Sequence, residues 1–364
     1  METTRLCSSP PKAMLLVFMA FFCSSGTAAA PAMFIFGDSL VDNGNNNFIP
    51  SIARANYFPY GIDLGAPTGR FCNGLTVVDL VARRLGMKFP PPYLSLSAKS
   101  SMMLRGINYA SASAGILDET GRHFGSRIPF DKQIELFAKT VSEQLPIMIP
   151  DPEALSEFLS SSLFIINIGS NDYINNYLLP DLYTSSSTYS GKHFAKLLIH
   201  KLVQQIKTIY SIGARKILLA GLGPLGCIPS QLSMSGITSG CVNHVNELVI
   251  QFNQLLIPAM IRLNSTLPGS FFVHQNNYDT FFDMIQTPTK YGFSVSNQAC
   301  CGNGRYGGQL TCLPLQNACS ARDQYIFWDS FHPTQAANAI IARKCLTSTN
   351  GDCFPISVNQ LAEL

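Results

Sequence analysis

Three short apolar runs, each cut off by a glycine, constrain the fold of this chain most. Met33 to Phe36 stops at Gly37, Leu163 to Ile168 at Gly169, and Lys216 to Ala220 at Gly221. Phe271 to His274 is a weaker fourth run. The runs are rich in Ile, Phe, Leu and Val, and they do not alternate with polar residues. Strands covered on both faces read this way. Between them lie stretches of helical period. Val77, Leu80, Val81 and Leu85 recur at three and four before Gly86. Leu198, Leu202, Ile206 and Ile209 form a longer face closed by Gly213. Val245, Leu248, Phe252, Leu255 and Leu256 precede Pro258, which is expected to end or kink that helix. Pro333 suits a first helical position, with Ala336, Ala337, Ile340 and Ile341 as the apolar face behind it. Strand-then-helix repetition predicts an α/β fold with a mainly parallel sheet and helices on both faces. In such sheets ligands bind at the carboxyl ends of strands.

The N-terminus has the order of a secretory signal peptide over residues 1–30. Arg5 and Lys12 supply the positive region, Ala13 to Cys23 the apolar run, and Ala28 to Ala30 the small residues before a cut. The run is shorter than the roughly 20 apolar residues that span a bilayer. No later run spans either, so no transmembrane segment is expected in the mature chain. Residues 31–364 carry no low-complexity linker and no internal repeat, and are read as one domain. The chain is 46% hydrophobic and 13% charged, enough for a sizeable core. Its 25 basic and 22 acidic residues are nearly balanced, and no basic block is interleaved with aromatics, which argues against a nucleic-acid partner. Nothing in the sequence specifies an oligomeric state.

The chain has 11 cysteines. Cys7 and Cys23 would leave with the signal, so an odd number remains. Secretion permits disulfides, and the C-x-x-C spacing of metal sites does not occur. Cys227 and Cys241 flank a loop that they can close. Cys300, Cys301, Cys312 and Cys319 read as a stapled loop, in which the adjacent pair is not expected to bond to itself. Asn264-Ser265-Thr266 is a glycosylation sequon.

Four stretches carry chemistry. Gly37-Asp38-Ser39-Leu40 puts a serine on the turn after the first strand, where it faces outward. Asp329-Ser330-Phe331-His332 places a carboxylate three residues before a histidine. That spacing lets the carboxylate fix one ring nitrogen and free the other as a base. His332 is the one histidine of six with an aspartate at this spacing before it. His193, His200 and His244 fall in or beside helical patterns and read as ordinary surface or groove residues. Gly106 to Gly115 is a small-residue loop whose closing glycine can bring an N–H to a substrate. Asn171, after the second strand, can offer a side-chain N–H.

Together these stretches resemble the GDSL, or SGNH, hydrolase family, in its large plant-type esterase/lipase branch. The matching text is FIFGDSLVDNGNNN from Phe34, PTGRFCNG from Pro67, GINYASASAGIL from Gly106 and IGSNDYINNY from Ile168. It continues with GLGPLGCIPS from Gly221, ACCGNGRYGG from Ala299 and FWDSFHPTQAAN from Phe327. The resemblance implies a flavodoxin-like three-layer α/β/α sandwich and hydrolysis of acyl esters, and the signal peptide leads to the expectation that the enzyme is secreted. It implies Ser39 as nucleophile, His332 as base and Asp329 as its partner. The Ser39 and Gly115 N–H groups and the Asn171 amide would form the oxyanion hole. No metal or cofactor is called for. Ser111 to Ala114 stand where the branch often has more glycines. Asp38 and Asp172 read as structural turn residues. The G-x-S-x-G elbow of the other large lipase fold is absent. An acyltransferase using the same acyl-enzyme and a non-catalytic wall- or lipid-binding protein are the alternatives. Substrates in view are lipids, polyesters and acylated polysaccharides. Specificity is expected in the loops Pro90 to Ser101 and Asp181 to Lys192.

Overall fold

The computed structural model describes residues 30–348 and 351–364. The expected signal peptide therefore lies outside the described residues, save Ala30. Four strands form the parallel heart of the central sheet: β1 (Met33–Gly37), β2 (Leu163–Asn167), β3 (Lys216–Ala220) and β4 (Phe271–Gln275). They lie side by side in that order. A small pair, β5 (Val295–Ala299) and β6 (Tyr325–Phe327), stands apart, and β7 (Cys353–Phe354) closes the main sheet antiparallel to β4.

Strand register explains the unbroken apolar runs. Phe34, Phe164, Ile217 and Phe272 are aligned across the sheet and face one core. Ile35, Ile165, Leu218 and Val273 are aligned one residue later and face the other. The first face is covered by helices α2 (Phe130–Lys139), α3 (Pro152–Ser161), α4 (Gly191–Ile212) and α5 (Asn243–Thr266). The second is covered by α1 (Val77–Arg84), α6 (Asn277–Gln286), α7 (Gln335–Thr347) and the short C-terminal helix Val358–Glu363. The result is the three-layer α/β/α sandwich, with no polar face on any central strand because none meets water.

The Gly106–Gly115 stretch begins as more than a loop. Ile35 N–H donates to Ile107 O at 2.9 Å, and Tyr109 N–H donates to Ile35 O at 2.8 Å. The segment thus flanks β1 opposite β2. Counting it second in chain order gives the 2-1-3-4-5 arrangement of flavodoxin-like sheets.

Two helix ends differ from expectation. The helix containing Pro258 continues to Thr266. Proline removes the bond to the carbonyl four residues earlier, on Gln254, but both residues are exposed, so water can satisfy that oxygen. The helix after His332 starts at Gln335, not at Pro333. Thr334 caps it, its side chain accepting from Ala337 N–H at 3.2 Å.

Four disulfides form: Cys227–Cys241, Cys300–Cys319, Cys301–Cys312 and Cys345–Cys353. Adjacent Cys300 and Cys301 go to different partners, and Cys72 is a buried thiol. Asn264 sits in the last turn of α5 with its side chain paired to Phe272. Its Nδ2 donates to Phe272 O at 3.1 Å and its Oδ1 accepts from Phe272 N–H at 2.7 Å.

Candidate active site

The turn after β1 is tight because a side chain does not fit there. A Cβ on Gly37 would stand 2.3 Å from Asn167 O of the neighbouring strand. Gln133 of α2 grips the same residue from below. Gly37 N–H donates to Gln133 Oε1 at 2.9 Å, and Gln133 Nε2 donates to Gly37 O at 2.8 Å. Asp38 then turns inward, its Oδ1 accepting from Leu40 N–H at 3.0 Å. Ser39 is left facing the cleft.

The polar run after Ser39 explains itself by what it holds. Asp42 accepts from Gly44 and Asn45 N–H, each at 2.8 Å. Asn45 Nδ2 donates to Asn108 O at 2.9 Å and to Ala110 O at 2.8 Å. Asn46 Oδ1 accepts from Ala112 N–H at 3.1 Å. The asparagines thereby tie the 106–115 loop to the turn that carries Ser39.

His332 comes to Ser39 from the other end of the chain, after β6. Its Nε2 lies 2.7 Å from Ser39 Oγ, across 293 positions of sequence. Its Nδ1 lies 2.8 Å from both oxygens of Asp329. Asp329 Oδ1 also accepts from the N–H groups of Phe331 and His332 at 2.8 Å, which closes the turn between them. Phe71 packs on the imidazole, ring centroids 5.1 Å apart. Burial pushes the Asp329 pKa up. The opposing charge of His332 and hydrogen bonds from His332, Tyr60 and Phe331 N–H outweigh it, so the carboxyl stays below its ordinary range. An ionised carboxylate fixes Nδ1 as a donor and frees Nε2 to accept a proton from Ser39.

A cavity of about 130 Å³ opens over this pair. Asn171 reaches it, with Nδ2 donating to Ala114 O at 3.0 Å. An amide nitrogen has two hydrogens, so one remains. Gly115 does not line the cleft. It packs against Thr120 and Asp172, where a Cβ would meet Thr120 Cγ2 at 2.5 Å and Asp172 Oδ1 at 2.7 Å. Its glycine is required for that close packing. The loop reaches the cavity through Ala112 and Ser113 instead, and Ser113 holds a left-handed φ of 63°. Among the described residues, the N–H groups of Ser39, Ser113 and Gly115 all lack an acceptor. Asp172 is structural, as read: its carboxylate accepts from Ile116 N–H at 2.8 Å, Leu117 N–H at 3.0 Å and the Thr120 hydroxyl at 2.8 Å.

The family model of GDSL-like lipase/acylhydrolases matches residues 33–345. The chain belongs to that family. Similar proteins include "GDSL esterase/lipase 7" of Arabidopsis thaliana, 59% identical over 92% of this chain and 93% of that protein. "GDSL esterase/lipase At1g71250" of the same plant is 47% identical over 93% of this chain and 91% of that protein. This GDSL hydrolase therefore acts on acyl esters. Among its described residues no helix is long and apolar enough to cross a membrane.

The loops expected to hold specificity, 90–101 and 181–192, do not line the GDSL cleft. Leu40, Ile52, Ile174, Leu225, Ile228 and Phe331 supply its apolar wall. Gln133, Tyr60 and Ser113 were not singled out by sequence. Gln133 and Tyr60 lie in ordinary helical or aromatic surroundings. Ser113 stands among small residues of the 106–115 loop, with no local pattern that marks it.

Proposed function

We propose that this chain is a secreted serine esterase/lipase that cleaves carboxylic acyl esters through an acyl-enzyme on Ser39. The observation that carries the reading is the 2.7 Å contact between Ser39 Oγ and His332 Nε2, with Asp329 on the other ring nitrogen. Ser39 Oγ attacks the ester carbonyl while His332 takes its proton. The oxyanion is met by the N–H groups of Ser39 and Ser113 and by the Asn171 amide. Each such donor is worth about 3–4 kcal/mol. Ser113 replaces Gly115 in this role because it borders the cleft. His332 then protonates the leaving alcohol, and a water deprotonated by His332 releases the acid.

The acyl chain lies along Leu40, Leu225, Ile228 and Phe331, a wall that continues into a second apolar pocket at Phe281 and Phe327. Burying each methylene there stabilises the complex by about 0.8 kcal/mol. The signal-like N-terminus and four disulfides support an extracellular site of action.

Hydrolysis of p-nitrophenyl esters from acetate to palmitate, by parent and Ser39→Ala enzyme, tests the reading. The variant is expected to lose roughly 10⁴-fold or more in kcat/KM with its fold intact. Undiminished turnover by the variant would refute it. Adding a hydroxylated acceptor and analysing the products separates hydrolysis from acyl transfer.

A further inference from the structure

Asp329 has a partner that the proposed reaction does not use. The Tyr60 hydroxyl donates to Asp329 Oδ2 at 2.6 Å, across 269 positions of sequence. Both residues are buried, Tyr60 at 1% exposure and Asp329 at none. Each Asp329 oxygen faces His332 Nδ1, and two backbone N–H groups satisfy Oδ1. Tyr60 is what satisfies the outer side of Oδ2.

The phenol is held as firmly as the carboxylate. Its ring meets Phe71 and Trp328 edge-on, centroids 5.9 and 6.3 Å away. Gly61 N–H donates to Cys72 O at 2.9 Å, and Asp63 N–H to Asn73 O at 2.9 Å, so the Tyr60 turn is laced to the 70–73 strip. That strip is anchored in turn. Arg70 pairs with Asp79 of α1 at 2.7 Å, and Asn73 Oδ1 accepts from Gln335 N–H at the start of α7 at 2.8 Å. The PTGRFCNG segment thus places Phe71 on His332 and backs Tyr60 against Asp329. Burial, with the Asp329 charge beside it, pushes the phenol well above its ordinary value, so it stays a neutral donor.

We propose that Tyr60 is a positioning residue: its hydroxyl locks the Asp329 carboxylate and sets how strongly that carboxylate draws on His332. The proposal rests on the assignment of Ser39, His332 and Asp329 above. A hydrogen bond to the outer oxygen disperses the carboxylate's charge. Removing it makes Asp329 a stronger partner for the imidazolium, so the acid limb of the activity profile moves upward. It also frees the carboxylate to turn.

Three other titratable groups face the pair. Burial holds Tyr57 and Cys72, near Asp329, up at about 12. Burial raises Asp38, near His332, to about 7. All three are common to parent and variant, so the difference between two profiles reports Tyr60 alone.

The test is the pH profile of kcat for a short p-nitrophenyl ester, with parent, Tyr60→Phe and enzyme carrying 3-fluorotyrosine at position 60. Tyr60→Phe is expected to lower kcat about tenfold at unchanged KM and to move the acid limb upward by about half a pH unit. Fluorotyrosine keeps the shape and is a stronger donor, so its acid limb moves the opposite way. That substitution decides the matter should Tyr60→Phe fail to fold. Acid limbs that superpose on the parent's overturn the role of Tyr60. If Ser39→Ala keeps its activity in the same assay, the site assignment fails instead.

Discussion

Asp38 is the least comfortable residue near Ser39. It is 1% exposed, and its Oδ2 has no hydrogen-bond partner. Burial raises its pKa from 3.8 to about 7, against the Leu40 N–H bond that lowers it. A carboxyl with a raised folded pKa stabilises the fold fully below its unfolded pKa. That contribution is lost as pH rises through the folded value. Asp38→Asn keeps an oxygen for Leu40 N–H and removes the titration. The parent is therefore expected to lose stability between pH 4 and about 7 relative to Asp38→Asn, by up to about 4 kcal/mol. Urea unfolding of both proteins across that range checks it; parallel curves would contradict it. At this scale Ser39, Asp329 and His332 were legible because each stands in a local pattern with its own chemistry. Tyr60 and Gln133 were not, because their roles exist only in contacts made across 269 and 96 positions.

At the scale of elements, the four parallel strands were legible because burial on both faces erases polar alternation. The segment beside β1 was not, since small residues and asparagines read as a turn until Asn45 supplies the bonds. Helix limits were less legible for the same reason. Whether Pro258 stops a helix depends on whether the orphaned carbonyl reaches water, and that is settled by packing. The 300–319 loop lacks long regular elements and depends on its two disulfides. Cys300 and Cys301 N–H donate to Phe327 O at 3.0 Å and Trp328 O at 2.7 Å, immediately before Asp329. Replacing Cys300 and Cys319 together with serine is expected to cost about 3 kcal/mol and to lower kcat, since the Asp329 turn is moored there. Denaturant midpoints and turnover measure both. An unchanged midpoint would show that the staple is dispensable.

At the scale of the whole molecule, the architecture brings two chain ends together. β1 delivers Ser39 early, and the segment after β6 delivers Asp329 and His332 nearly three hundred residues later. The central sheet places the first turn, the small β5–β6 pair places the second, and the loop and helix residues around them fix their angles. The central claim is that this arrangement makes Ser39 a nucleophile driven by His332. Labelling the folded protein with a fluorophosphonate, in parent and His332→Ala forms, tests it most directly. Peptide mass spectrometry is expected to find one adduct, on Ser39, formed at least about a thousandfold more slowly without His332. An adduct on another serine, or equal labelling of Ser39 in both proteins, would contradict the account.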